Sequence, residues 1–103
     1  MDTVNAIIQY IELMGGVATR VNSGVRFYED NKGKRRAFRG APKGTSDILA
    51  CINGLYWAIE VKDGKNTATP EQLEFIERVQ AAGGRGGVVW TFDEFLKLVG
   101  GRP

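Results

Sequence analysis

Asn53-Gly54 lies between two runs rich in isoleucine, leucine, valine and aromatic residues, 47 to 52 and 55 to 62. That dipeptide between alternating apolar residues specifies a two-residue type I′ hairpin, because both central positions must take positive φ and the turn then matches the twist of its strands. The register follows: 52 faces 55, 50 faces 57 and 47 faces 60. One face, made of Ile48, Ala50, Ile52, Leu55, Trp57, Ile59 and Val61, is uniformly apolar and is expected to be buried. The other carries Asp47, Leu49, Cys51, Tyr56, Ala58, Glu60 and Lys62, so its charges gather at one end. Asp47 thus stands across from Glu60, and directly opposed like charges destabilise a sheet.

The remaining chain supplies elements to surround this hairpin. Val4, Ile7, Ile8, Ile11 and Met14 recur at helical spacing over 3 to 14, and Gly15-Gly16 ends the helix. Its opposite stripe, Asp2, Asn5, Gln9 and Glu12, is polar. Strands are expected at 17 to 21 and 25 to 28, with a further short one in "RRAFRG" before the 42 to 44 loop. Thr69-Pro70-Glu71-Gln72 opens a second helix: threonine caps it, proline suits its first position, and Gln72 completes a capping box. "GGVVW" reads as a late strand, and Asp93 as the cap of a short closing helix. The order is that of a single mixed α/β domain, 1 to 103, with helices packed on a central sheet.

With 103 residues there is room for one core, and 43% hydrophobic with 25% charged residues is ordinary for a soluble domain. No apolar run approaches a membrane span and no signal-peptide layout opens the chain, so an intracellular protein is expected, cytoplasmic, or in the host cytoplasm if viral. Cys51 is the single cysteine and histidine is absent. This excludes a cysteine–histidine nucleophile and a His- or thiolate-based zinc site, and Cys51 reads as a buried thiol in a reducing compartment. Charge is uneven: residues 20 to 43 hold eight cations and two anions, net +6, in a chain whose total is +2. A basic segment beside an acidic remainder suits either a phosphate-binding surface or a solvated charged loop.

A hard divalent cation between Asp47 and Glu60 would reverse the sign of their interaction, and oxygen ligands suit Mg²⁺ or Mn²⁺. The carbonyl of Val61 is a further potential ligand, and Lys62 is placed to orient a water or offset charge developing on a phosphate. These parts describe metal-assisted phosphodiester hydrolysis. The competing reading is a surface ion network in which Lys62 bridges the two acids.

Asp47 followed by Glu60-Val61-Lys62 resembles the PD-(D/E)xK nuclease motif, and "RVNSG", "GTSD" and "IEVKDGKNTATPEQ" resemble its VRR-NUC branch, found as stand-alone phage proteins and as a domain of repair nucleases. The likeness runs from the first helix to Val88. It implies a restriction-endonuclease-like core, a central mixed β-sheet flanked by helices. It implies Asp47, Glu60 and Val61 as metal ligands, Lys62 as catalytic, and Gln72 as a supporting residue of the site, a role compatible with capping. Ser46 stands where the motif has proline. The family's first-helix acid maps to Asp2, with Glu12 as fallback. Arg20, Asn22 and Ser23 would meet phosphate or order the site, and Arg35, Arg36, Arg39 and Lys43 would extend a DNA track.

The function expected from this resemblance is a Mg²⁺- or Mn²⁺-dependent endonuclease acting as a homodimer on branched DNA, like Holliday-junction resolvases in recombination and repair. Phe92, Phe95 and Leu96 are candidate dimer contacts, although burial against their own sheet is the expected fate of most of them. The alternatives are a flap, nicking or single-strand nuclease of viral replication and repair, and a catalytically silent DNA-binding module.

Overall fold

The computed structural model describes residues 2–100, with the side chain of Arg26 excepted; Met1 and 101–103 of the expected domain lie outside the described residues. Nine elements follow in order: α1 (Thr3–Leu13), β1 (Val17–Arg20), β2 (Val25–Glu29), β3 (Arg35–Arg39), β4 (Ile48–Ile52), β5 (Leu55–Val61), α2 (Pro70–Ala81), β6 (Arg85–Val89) and α3 (Phe92–Leu98). The hairpin forms in the expected register, Ile52 against Leu55 and Ala50 against Trp57. Asn53 and Gly54 both take positive φ, 52° and 80°, as a type I′ turn requires.

The main sheet has the order β1-β4-β5-β6. Its first three strands are antiparallel, whereas β6 runs parallel to β5 because α2 carries the chain back across the sheet. Successive glycines on β6 show how the two faces are covered. A side chain on Gly86 would meet Ile76 of α2, and one on Gly87 would meet Leu98 of α3. Under the α1 and α3 face lies the core of Ile7, Ile11, Ile48, Ala50, Trp57, Ile59, Val89 and Phe95. Helices therefore flank a central mixed sheet. Among the described residues no helix is long and apolar enough to cross a membrane.

Among the described residues β2 and β3 pair only with each other, and they make a separate two-stranded arm. Every residue of β3 is exposed, and the molecule measures 50 × 30 × 29 Å. The arm's base is closed by Gly24 N–H to Ala41 O, Gly40 N–H to Gly24 O and Ala41 N–H to Asn22 O, each 2.9 Å. Gly40 cannot carry a side chain there, since a Cβ would collide with the Asn22 carbonyl.

Three expectations need correction. Cys51 is exposed rather than buried, because its face of the hairpin is uncovered near the turn. Leu55 is exposed for the same reason, at the turn end of the apolar face. Thr91, not Asp93, caps α3, and Glu94 closes a capping box on it. Phe95 is fully buried, and Phe92 and Leu96 pack against the same core, which is the burial against their own sheet expected for most of this segment.

Candidate active site

Three strands bring chemistry to one end of the main sheet. β1 ends at Arg20, β4 begins just after Asp47, and β5 ends at Glu60-Val61 before Lys62. Ladder pairing stops at Ile48 opposite Ile59, one step short of the two acids. There the Asp47 carbonyl accepts from Val21 N–H at 2.8 Å. Its carboxylate Oδ2 accepts from Val61 N–H at 2.9 Å. Asp47 is thus held by its backbone to one neighbouring segment and by its side chain to the other.

The loop that delivers Asp47 is shaped by "GTSD". Gly44 takes φ +92°, and a Cβ on it would sit 2.7 Å from the Glu71 carbonyl, so the loop can press against the start of α2 only as glycine. Thr45 ties the turn by donating Oγ1–H to Pro42 O at 2.7 Å. Ser46, in the position where the motif has proline, is fully buried.

Glu60 is 1% exposed and lies on the sheet face that α2 covers. Burial, with the Asp47 carboxylate adding to it and Lys62 opposing, pushes the Glu60 carboxyl up to about 8. Lys62 Nζ stands 3.7 Å from Glu60 Oε2, and Lys62 N–H is fixed to Val89 O at 2.9 Å. Glu60 Oε1 has no hydrogen-bonding partner among the described residues. A buried carboxylate oxygen without a donor is costly unless a cation or proton meets it.

Beside these residues opens a cleft of about 600 Å³ lined by Asp2, Arg20, Val61, Lys62, Asp63 and Asn66, among others. Asp2 caps α1 by accepting from Asn5 N–H at 2.8 Å and faces Arg20 at 3.9 Å. Glu12 is exposed near the opposite end of that helix, roughly 15 Å along its axis from Asp2 at 1.5 Å per residue. Among the described residues no three His, Cys, Asp or Glu side chains converge as a metal-ligand group. Asp47 and Glu60 stand together at the sheet end, while Asp2 lines the neighbouring cleft with Val61 and Lys62. Two carboxylates and a carbonyl such as that of Val61 still fit an ion like Mg²⁺, which retains several waters, and the unpartnered Glu60 Oε1 is where such an ion would be met.

The other candidates disperse. Gln72 spends its side chain on the capping box, accepting from Thr69 N–H at 2.8 Å. Asn22 and Ser23 form the root of the arm. Arg35, Arg36 and Arg39 lie on β3, with the Arg35 guanidinium 4.6 Å from the Phe27 ring centroid and Arg36 Nε donating to Asp30 at 2.9 Å. Lys43 lines a different hollow with Glu71 and Glu74. Sequence reasoning missed Asp63 and Asn66. Their place in the cleft depends on Trp90 Nε1–H, which reaches 24 residues back to hold the Asn66 carbonyl at 2.8 Å. No local pattern announces that bond.

The sheet, its crossover and the acids at its end define a restriction-endonuclease-like α/β domain. No protein-family model matches the chain, and no curated protein matches it. A solved structure described as "VRR_NUC domain" is similar over 94% of this chain and 89% of its own, with a TM-score of 0.64 and 25% identity. This similarity supports assigning the chain to the VRR-NUC family.

Proposed function

We propose that this protein is a nuclease of the PD-(D/E)xK type, a divalent-metal-dependent endonuclease hydrolysing phosphodiester bonds in branched or structured DNA. The observation that carries the proposal is the buried, unpartnered oxygen of Glu60 beside Asp47, with Lys62 on the same end of the sheet. When bound, Mg²⁺ or Mn²⁺ supplies Lewis acidity and activates water. Asp47, Glu60 and the Val61 carbonyl would hold the ion. Lys62 stabilises charge developing on the phosphate, and Arg20 in the cleft positions the neighbouring backbone. A solvated ion network explains the arrangement less well, because Glu60 is almost fully buried.

The reading extends to a homodimer presenting two sites to one branched substrate, in recombination or repair and within the cytoplasm of a cell or viral host. Incubating the protein with duplex, flap and four-way-junction DNA in Mg²⁺, Mn²⁺ or EDTA tests it. Cation-dependent strand cleavage that prefers the branched forms is expected, and paired symmetric nicks on the junction with a dimer mass in light scattering are its fullest form. A protein that binds these DNAs but never cuts them is a silent binding module instead.

A further inference from the structure

The arm leaves large apolar side chains in solvent on both faces, for Phe27, Tyr28 and Phe38 are each more than half exposed. Its register sorts them. Tyr28 pairs with Arg36 and Arg26 with Phe38, so the pleat puts Tyr28 and Phe38 on one face as diagonal neighbours together with Arg36. Phe27 lies on the opposite face, with the Arg35 guanidinium 4.6 Å from its ring centroid. Asp30 accepts from Lys32 N–H, Lys34 N–H and Arg36 Nε–H, each at 2.9 Å, which fixes the turn and orients Arg36 on the Tyr28 face.

From 25 to 39 the arm holds six cations and two carboxylates, net +4 in a chain of net +2. Pairing this face with a second copy would set like charge on like charge. A polyanion complements it. Exposed aromatic rings beside guanidinium groups on an extended ribbon are the combination that takes nucleic-acid bases by stacking while the cations meet phosphate. The arm also springs from the site: Val21, bonded to the Asp47 carbonyl, and Asn22, bonded to Ala41, join its root to the acids.

We infer that the Tyr28 and Phe38 face of the β2–β3 arm is a stacking platform for unpaired bases, holding single-stranded DNA next to the scissile duplex. This inference rests on the nuclease reading and deepens it, since it names the feature of a branched substrate that the protein grips. It requires bases free of their partners; stacked duplex offers the platform only its ends.

The test uses the full chain with Tyr28→Val and Phe38→Val together, which removes both rings while keeping β-branched residues suited to a strand. Binding is compared at one salt concentration for a blunt duplex and a forked duplex carrying 2-aminopurine in its unpaired arm. The wild type is expected to prefer the fork and to quench the 2-aminopurine. The variant is expected to lose that preference by on the order of 5- to 150-fold per base released. Phe27→Val, on the opposite face, is expected to keep it. Tyr28→Val alone carries the comparison if the double variant does not fold. Equal losses on both DNAs, no loss on either, or a variant that falls from dimer to monomer would each overturn the inference, the last by making the arm an interface between copies. A wild type that cleaves with no preference for the fork overturns the platform alone, whereas a wild type that binds neither DNA removes the nuclease reading with it.

Discussion

Asp47 and Val61 are joined across the end of the hairpin, the aspartate Oδ2 accepting the valine N–H at 2.9 Å. That bond continues the ladder by a side chain where backbone pairing has stopped. It holds the carboxylate beside Glu60, so strand pairing itself places two acids together at the end of the sheet, next to the Val61 and Lys62 that line the cleft. The repulsion this builds in adds to burial in pushing the Glu60 carboxyl up to about 8 from 4.5.

Stability without metal should therefore depend on pH through Glu60. The folded state holds a proton there that the unfolded state releases near pH 4.5, so the stabilisation is complete below that pH and is lost as pH rises to about 8. Glu60→Gln abolishes this dependence. In EDTA the variant should match the wild type near pH 5 and melt at higher temperature by pH 9, with a few kcal/mol at stake. Parallel pH profiles of the two melting temperatures would show that Glu60 does not carry the shift.

Lys62→Ala separates holding the ion from using it. The ammonium is no metal ligand, and it lies 3.7 Å from Glu60 Oε2. Mn²⁺ titrated by calorimetry should still bind the variant, while cleavage falls by at least about a hundredfold, the scale on which removing one charge-stabilising group acts. If Mn²⁺ binding is lost as completely as in Glu60→Gln, the lysine acts by building the site.

Neutralising Arg35, Arg36 and Arg39 together should flatten the salt dependence of duplex binding by about 0.9 in log–log slope for each phosphate that is no longer neutralised. The fold should be spared, because the Arg36–Asp30 pair is a surface bridge on the arm. An unchanged slope would assign these cations to solvent.

Gly44→Ala should damage the site through the backbone. Positive φ costs an alanine about 1–2 kcal/mol, and its Cβ would collide with the Glu71 carbonyl at 2.7 Å. Melting temperature and cleavage should fall together; a variant as stable as the wild type would mean that the loop shifts freely without moving Asp47.

The hairpin was legible because its signals are local. Asn53-Gly54 set the turn, the turn set the register, and alternation put Glu60 and Lys62 on one face. The burial of Glu60 was not legible, since it depends on α2 crossing that face, and the same alternation left Cys51 exposed nearer the turn, on the same side. The resemblance named Arg20 and Asp2 as site residues, but their shared cleft and their pairing with each other take the packing of α1 against β1. The arm was hardest to read. Val25, Phe27 and Ala37 look like the inner face of any half-buried strand pair, yet all three are exposed on an arm that does not join the main sheet.

Whether Asp47 and Glu60 hold a cation that cuts DNA is open to direct measurement. The rate of four-way-junction cleavage in Mg²⁺ is compared for the wild type, Asp47→Asn and Glu60→Gln, each checked for folding by its thermal melt. Cleavage by the wild type alone, abolished by EDTA and by either substitution in a folded protein, is the expected result. Cleavage at the wild-type rate by either folded variant, or undiminished in EDTA, would contradict it.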